Sequence, residues 1–173
     1  ISQYELPIAE KGWLDVIDSS APNEAEAQSK RIRVRRVHIE EDTAKLAHEK
    51  NYALVDFNRA GVPLLEIVSE PDMRTVEAAL DYATKVRAIL RYLGVNSGDM
   101  EKGVLRFEAN ISVRPVGSDE LRTRTEIKNL NSFRALVRAS QYEIERQIKI
   151  YEDGGEVMQE TLGWDDARGV TTR

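Results

Sequence analysis

Two short segments carry side chains that could hold a metal ion, and the first is His38-Ile-Glu-Glu-Asp42. If this segment is extended, the alternation of strand side chains puts Glu40 and Asp42 on the face of His38. Glu41 then points to the opposite face. Carboxylate oxygens are the ligands that Mg²⁺ prefers, but adjacent carboxylates repel one another unless cations or water screen them. A solvated acidic turn also explains the segment, and these residues alone favour the turn.

The second segment is the apolar stretch Leu64-Leu-Glu-Ile-Val68, with Glu66 in its middle. A carboxylate in a buried strand needs a partner, because burying an unpaired charge is costly. A salt bridge and a metal ion are both compatible with these residues. A metal ion is favoured if Glu66 converges with the acidic pair Glu40 and Glu41 of the first segment. Arg59 precedes this strand and could reach a phosphate, although surface exposure without a ligand is the simpler explanation.

A third group of residues forms the polar face of a predicted strand pair. Polar and apolar residues alternate over residues 104–114, and charged residues alternate over residues 123–128. The polar positions are Arg106, Glu108, Asn110, Ser112 and Arg114 on the first strand, and Arg124, Glu126 and Lys128 on the second. Cross-strand charge pairing accounts for this pattern. The functional alternative is a phosphoryl-transfer cleft, which needs carboxylates for metal ions and cations for phosphate oxygens.

Two helices are predicted beside these strands. Apolar residues at three- and four-residue spacing indicate helices over about 75–93 and about 132–153. Thr75 and Ser132 precede them as predicted N-caps, and glycines at 94 and 154 end them.

The strands themselves are predicted from alternation and turn residues. A turn around Gly117 joins the two polar strands as an antiparallel pair. The small polar residues 18–30 predict a loop, and the alternation slips at Arg35-Arg36 as it does at a β-bulge. The sequence therefore predicts an α+β fold, in which an antiparallel β-sheet has helices packed on one face.

Composition narrows the function classes. The chain has 173 residues, with 25 basic and 30 acidic side chains, a net charge of −5 and no cysteine. A disulfide framework and a cysteine metal site are thereby excluded. No phosphate-binding glycine loop is present, no apolar run is long enough to span a membrane, and the acidic balance argues against binding nucleic acid by charge alone. Arginines nevertheless cluster around Arg33 and Arg122, which predicts local phosphate positioning.

Longer motifs, in a fixed order, carry a resemblance to a known family. They are Ile1–Tyr4, His38–Asp42, Asp56–Asp72, Leu90–Gly94, Ala109–Pro115, Arg124–Phe133, Tyr142–Gln147 and Gly154–Glu160. With these motifs the chain resembles the GatB family, the B subunits of the aspartyl/glutamyl-tRNA amidotransferases. The motifs extend over nearly the whole chain and are more specific than any short pattern above.

The resemblance implies a function. Members of this family phosphorylate the side-chain carboxylate of mischarged Glu-tRNA(Gln) or Asp-tRNA(Asn) with ATP and Mg²⁺. Ammonia from a partner amidase subunit then displaces the phosphate, and a small third subunit joins the two. The implied fold is like the catalytic part of glutamine synthetase, and the implied location is the bacterial cytoplasm or an organelle, without a membrane.

The resemblance also implies site residues, by motif position. The implied metal ligands are Glu41 and Glu66, with Glu40 and Glu101 as further candidates. The implied catalytic residues are Glu108, Asn110, Arg106 and Lys128, and the implied ATP-binding residues are Arg59, Arg106 and Lys128. Strand alternation, in contrast, groups Glu40 rather than Glu41 with His38, so the two interpretations differ at this point.

The chain departs from the family pattern at three positions. Phe107 and Glu108 stand where the family usually has cysteine and aspartate, and Lys102 stands where an acid is common. The resemblance places residues 1–173 in the centre of the catalytic domain, with an N-terminal strand and C-terminal tRNA-binding domains outside. We therefore expect the isolated chain to have no amidotransferase activity. The alternative hypothesis is a non-catalytic scaffold that docks partner subunits.

Overall fold

The computed structural model describes residues 2–18 and 28–173, which form nine strands and two helices. In chain order these are β1 Ala9–Asp18, β2 Gln28–Glu41, β3 Lys45–His48, β4 Ala53–Asp56, β5 Pro63–Ser69, α1 Val76–Tyr92, β6 Phe107–Ile111, β7 Thr125–Leu130, α2 Phe133–Glu152, β8 Thr161–Asp165 and β9 Val170–Thr172. Most of the loop predicted over 18–30 lies outside the described residues. The fold class is α+β, as predicted.

The chain divides into two compact units, and the first comprises the residues up to Val16 together with Ser29–Met73. Its main sheet has the strand order β1-β2-β5. β2 and β5 pair antiparallel, and their register shifts between Val34 and Arg36, which confirms the predicted slip. β3 and β4 form a separate antiparallel hairpin, which the sequence did not predict, and all of its residues are exposed.

The second unit is built mainly by Arg74–Arg173 and contains both helices. The Thr75 hydroxyl accepts a hydrogen bond from the Ala78 N–H at 3.1 Å, and the Ser132 hydroxyl accepts one from Ala135 at 2.9 Å. These contacts confirm both predicted N-caps, because a side-chain oxygen satisfies a backbone donor that the first helical turn leaves open. Gly154, with φ of 78°, follows the end of α2 in the left-handed conformation that glycine adopts without strain.

The sheet of the second unit has the order β6-β7-β8-β9. β6 and β7 pair antiparallel, as predicted, but β7 and β8 pair parallel, so the expectation of a purely antiparallel sheet was wrong. β6 is also shorter than predicted, because the backbone N–H groups of Val104 and Leu105 donate hydrogen bonds to the Asp99 carbonyl rather than to a neighbouring strand. α2 packs against β6, β7 and β9, and α1 packs against α2. The core contains Ala83, Ile127, Leu130, Ala135, Leu136, Ala139 and Trp164.

β7 contains one residue more than β6 between two core pairs. Phe107 lies opposite Leu130 and Ala109 lies opposite Ile127, so two residues of β7 face one residue of β6. Asn129 takes the left-handed conformation at this bulge, with φ of 66°, and donates a hydrogen bond to the Trp164 carbonyl at 3.0 Å. Asparagine tolerates that conformation better than most residues. The bulge leaves Lys128 exposed on the polar face.

A buried polar network joins α2 to β6 and β7. Glu143 is fully buried and accepts hydrogen bonds from Thr125 at 2.7 Å, Gln147 at 2.8 Å and Arg146 at 2.8 and 2.9 Å. Gln147 also donates to the Ile111 carbonyl. Burial disfavours the charged carboxylate, but the bonds from Arg146, Gln147 and Thr125 hold the pKa of Glu143 below its ordinary value.

The buried face of α2 therefore differs from the one predicted from apolar spacing. Glu143 and Gln147 lie on it, whereas Ile148, which fits the apolar spacing, is 42% exposed. Leu93, the C-cap residue directly after α1, also fits the apolar spacing and is 67% exposed. Within the described parts of the chain, no helix is long and apolar enough to cross a membrane.

Candidate functional site

Three side chains of the first unit converge on the β2–β5 pair. His38 lies directly opposite Glu66 in the antiparallel register, and Glu40 is two residues further along β2. Because opposite and next-but-one residues share a face, all three side chains lie on the same side of the sheet. The His38 Nε2 atom is 3.1 Å from Glu40 Oε1 and 3.1 Å from Glu66 Oε2. One ligand atom from each side chain lies within 4.8 Å of the others.

The cluster combines a buried ring with accessible carboxylates. The His38 side chain is fully buried, whereas Glu40 is 28% and Glu66 is 49% exposed. A hydrogen bond from the Ser2 hydroxyl lowers the pKa of Glu40, burial opposes this, and the bond from His38 adds to it. The Nδ1 atom of His38 is buried without a hydrogen-bond partner among the described residues.

The donor set fits a divalent cation. Two carboxylates supply the hard oxygen ligands that Mg²⁺ takes. The imidazole adds a nitrogen donor, which Mn²⁺ accepts more readily than Mg²⁺ does. Glu66 converges with Glu40 of the acidic pair, which is the condition under which the sequence favours a metal ion over a salt bridge. Glu41, by contrast, lies opposite Pro63 and so falls on the other face of the sheet from Glu66. The sheet therefore does not bring the predicted pair of Glu41 and Glu66 together, and Glu41 as a metal ligand stays a prediction.

Several arginines that were predicted to bind phosphate form ion pairs with carboxylates in the structure. Arg59 lies 3.5 Å from Asp42. On β2, Arg33 makes a two-pronged contact with Asp72 at 2.7 and 2.9 Å, and Arg35 makes one with Glu70. The arginine cluster around Arg33 is thus a set of ion pairs between β2 and the segment after β5, which is a structural explanation for its charge.

The polar face of the second unit brings together residues from both predicted strands. Lys128 Nζ is 3.3 Å from Glu108 Oε1 and 3.9 Å from Glu126 Oε2. The Thr161 hydroxyl donates to the same Glu126 oxygen at 2.8 Å. Partial burial raises the pKa of Glu108 above its ordinary value, Lys128 opposes this shift, and the neighbouring Glu126 adds to it. One lysine thus links two carboxylates, one of which holds a proton more readily than a free glutamate.

The remaining predicted site residues of this unit are exposed. Asn110 lies opposite Glu126 in the β6–β7 register, Arg106 precedes β6, and Glu101 lies in a turn. Their predicted roles stay predictions. Ser2 and Glu126 were not predicted to have a role, although both contact predicted site residues. Only the register and the bulge reveal these contacts, because the partners are far apart in the chain.

Comparison with known proteins gives one family. The GatB/GatE catalytic domain family matches residues 1–173. The chain is 54% identical to the B subunit of the aspartyl/glutamyl-tRNA(Asn/Gln) amidotransferase of Moorella thermoacetica, over 99% of the chain and 36% of that relative. Relatives of the same name in Herpetosiphon aurantiacus and Carboxydothermus hydrogenoformans are 53% and 52% identical, over 99% of the chain and 34% and 35% of their lengths. The chain thus spans about a third of the length of these relatives.

Proposed function

This chain belongs to the GatB/GatE catalytic domain family, and from that membership we propose that it performs the activation step of a tRNA-dependent amidotransferase. In this proposal the side-chain carboxylate of Glu-tRNA(Gln) or Asp-tRNA(Asn) is phosphorylated with ATP and Mg²⁺. Ammonia then attacks the acyl phosphate and phosphate leaves, which gives the amide. A partner amidase subunit supplies the ammonia, and a small third subunit completes the complex. The names of the relatives, which are B subunits of such enzymes, support the proposal.

The observation that carries the proposal is the convergence of His38, Glu40 and Glu66. Phosphoryl transfer to a carboxylate brings two anions together, so the site must supply positive charge. A bound divalent cation neutralises phosphate oxygens and polarises the transferred group. In this chain Glu40 and Glu66 would hold the cation with their charged carboxylates, and the buried His38 ring fixes both by contacts of 3.1 Å.

For Lys128 and Glu108 of the second unit we propose a role in the amidation step. Lys128 is half exposed and can donate to an anionic oxygen of the substrate while it keeps its contact with Glu108. Glu108 has a raised pKa, so it is suited to accept a proton from the attacking ammonia and release it later. Asn110 and Arg106 lie on or beside β6 and are proposed to position the substrate. Arg59 is proposed to bind the nucleotide in exchange for its contact with Asp42.

The experiment compares four variants in the full-length protein assembled with its partners: Glu66→Gln, Glu40→Gln, Glu108→Gln and Glu41→Gln. ADP formation is measured with mischarged tRNA as substrate, and glutamine hydrolysis is followed separately as a test of assembly. We expect Glu66→Gln and Glu40→Gln to lose at least about 10-fold in ADP formation, because losing a residue that only orients a metal ligand already costs about 10- to 100-fold. Glu41→Gln is the matched control, because it changes the same strand on the opposite face.

Two results would count against the proposal. If Glu66→Gln and Glu40→Gln both keep the rate of ADP formation, and Glu108→Gln keeps the rate of amide formation, the chain is better explained as a scaffold. If Glu41→Gln abolishes ADP formation while Glu40→Gln does not, a metal site exists but its ligands follow motif position rather than the register seen here.

A further inference from the structure

The residues before β1 lie against the candidate metal site. Ser2 forms an antiparallel bridge with Glu40, and the Gln3 N–H donates to the Ile39 carbonyl at 2.9 Å. The Gln3 side chain returns the contact by accepting from the Ile39 N–H at 3.3 Å. We name residues Ser2–Tyr4 the N-terminal strap. The strap follows β2 along the stretch that carries His38 and Glu40.

The strap fixes the carboxylate of Glu40. The Ser2 hydroxyl donates to Glu40 Oε1 at 2.8 Å, and His38 Nε2 contacts the same oxygen at 3.1 Å. One carboxylate oxygen thus has two fixed neighbours, so the plane of the carboxylate is set and Oε2 stays available to a ligand. Ser2 is exposed, so its hydrogen bond is weak by itself, but it acts on the same oxygen that the buried His38 ring also contacts.

The strap also covers His38. The Tyr4 ring meets the His38 ring edge-on, with centroids 5.8 Å apart and planes at 80°. The Arg36 guanidinium lies over the Tyr4 ring, 3.5 Å from its centroid. Tyr4 thus contacts two residues of β2, the strand that carries His38 and Glu40.

We infer that the N-terminal strap is a positioning element for the metal site, and that Ser2 is the residue through which it sets the geometry of Glu40. This inference rests on the proposed function, since it assumes that the cluster of His38, Glu40 and Glu66 binds a divalent cation. Removing a side chain that hydrogen-bonds to a metal ligand, without binding the metal itself, typically weakens metal affinity about 10- to 100-fold. Ser2 is the only side chain of the strap with a hydrogen bond to a donor of the cluster, among the contacts described for residues 2–18 and 28–173.

The test measures Mn²⁺ binding to the full-length protein in its complex, by calorimetry or by the paramagnetic signal of free Mn²⁺. We expect Ser2→Ala to weaken Mn²⁺ binding about tenfold, and Ser2→Thr, which keeps the hydroxyl, to bind close to wild type. Ser29→Ala is the matched control, because Ser29 is an exposed serine of β2. Thermal unfolding is recorded for each variant, and we expect Ser2→Ala to leave it unchanged.

A double-mutant cycle separates positioning from a general effect on the strand. Ser2→Ala in a Glu40→Gln background should weaken Mn²⁺ binding no further, because the hydroxyl then has no carboxylate to orient. The inference is overturned if Ser2→Ala binds Mn²⁺ as wild type does, or if it weakens binding equally in both backgrounds. If Glu66→Gln leaves Mn²⁺ affinity unchanged, the cluster of His38, Glu40 and Glu66 is not the metal site. The proposed function then also loses the observation on which it rests.

Discussion

Replacing Glu143 by glutamine tests whether the buried network of α2 holds the second unit together. The substitution preserves the size of the side chain but places an amide N–H₂ where one carboxylate oxygen now accepts bonds. Thr125, Arg146 and Gln147 all donate to that carboxylate at 2.7 to 2.9 Å. Breaking a buried ion pair by removing one partner costs about 3–5 kcal/mol. Arg146 is 27% exposed and also contacts Glu160, so we expect the lower end, about 3 kcal/mol.

The assay is urea unfolding of the 173-residue chain, followed by tryptophan fluorescence. The chain has two tryptophans, and Trp164 is buried in the core of the second unit whereas Trp13 is exposed. In a Trp13→Phe background the signal therefore reports on the second unit alone. With a urea slope of about 2 kcal/mol/M, the loss lowers the unfolding midpoint by about 1.5 M. Glu145→Gln, an exposed position on the same helix, should change the free energy of unfolding by less than about 0.5 kcal/mol.

The same variant has a predicted pH dependence. The hydrogen bonds to Glu143 outweigh burial and lower its pKa in the folded state. Its contribution is therefore fully present above the unfolded-state pKa of about 4.3 and is lost as pH falls through the lower folded value. The difference between wild type and Glu143→Gln should stay constant near neutral pH and narrow in acid. A difference that matches the Glu145→Gln control, or that does not change in acid, would refute this reasoning.

Two further substitutions test the packing and the capping of the second unit in the same assay. Leu130→Ala removes a core side chain that is 2% exposed, and we expect a loss of about 3 kcal/mol, whereas Leu121→Ala at an exposed position should cost little. Ser132→Ala removes the hydroxyl that caps α2, and we expect a loss of about 1 kcal/mol with faster amide exchange in the first turn, which Ser132→Asn should largely restore.

Local signals predicted the helices well. Both are long enough for apolar spacing to be unambiguous, and both N-caps depend on a contact only three residues away. The buried face of α2 was less predictable, because Glu143 and Gln147 are buried through partners on β6 and β7 rather than through apolar character. β8 was not predicted, and its parallel pairing with β7 depends on the path of α2, which no local pattern in Thr161–Asp165 encodes.

The sequence predicted which kinds of residue form the candidate metal site, but not all of the residues that form it. Strand alternation correctly grouped His38 with Glu40, while Glu66 joins them only through the register that places it opposite His38. The ion pairs of Arg33 and Arg35 were not predicted, because their partners Asp72 and Glu70 lie 39 and 35 residues further along the chain. In both cases the missing information was a long-range pairing, which residue types alone do not define.

The bulge in β7 has a consequence for how the length of this strand can change. Deleting one residue from an ordinary strand exchanges its two faces and moves the core residues into solvent. Without Asn129, however, Leu130 would still face Phe107 and Ile127 would still face Ala109, since Asn129 is the residue by which β7 exceeds β6. Lys128 would then stand directly opposite Glu108. This position is where the sheet can shorten by one residue and keep its core, so we expect natural length variation in β7 to concentrate there.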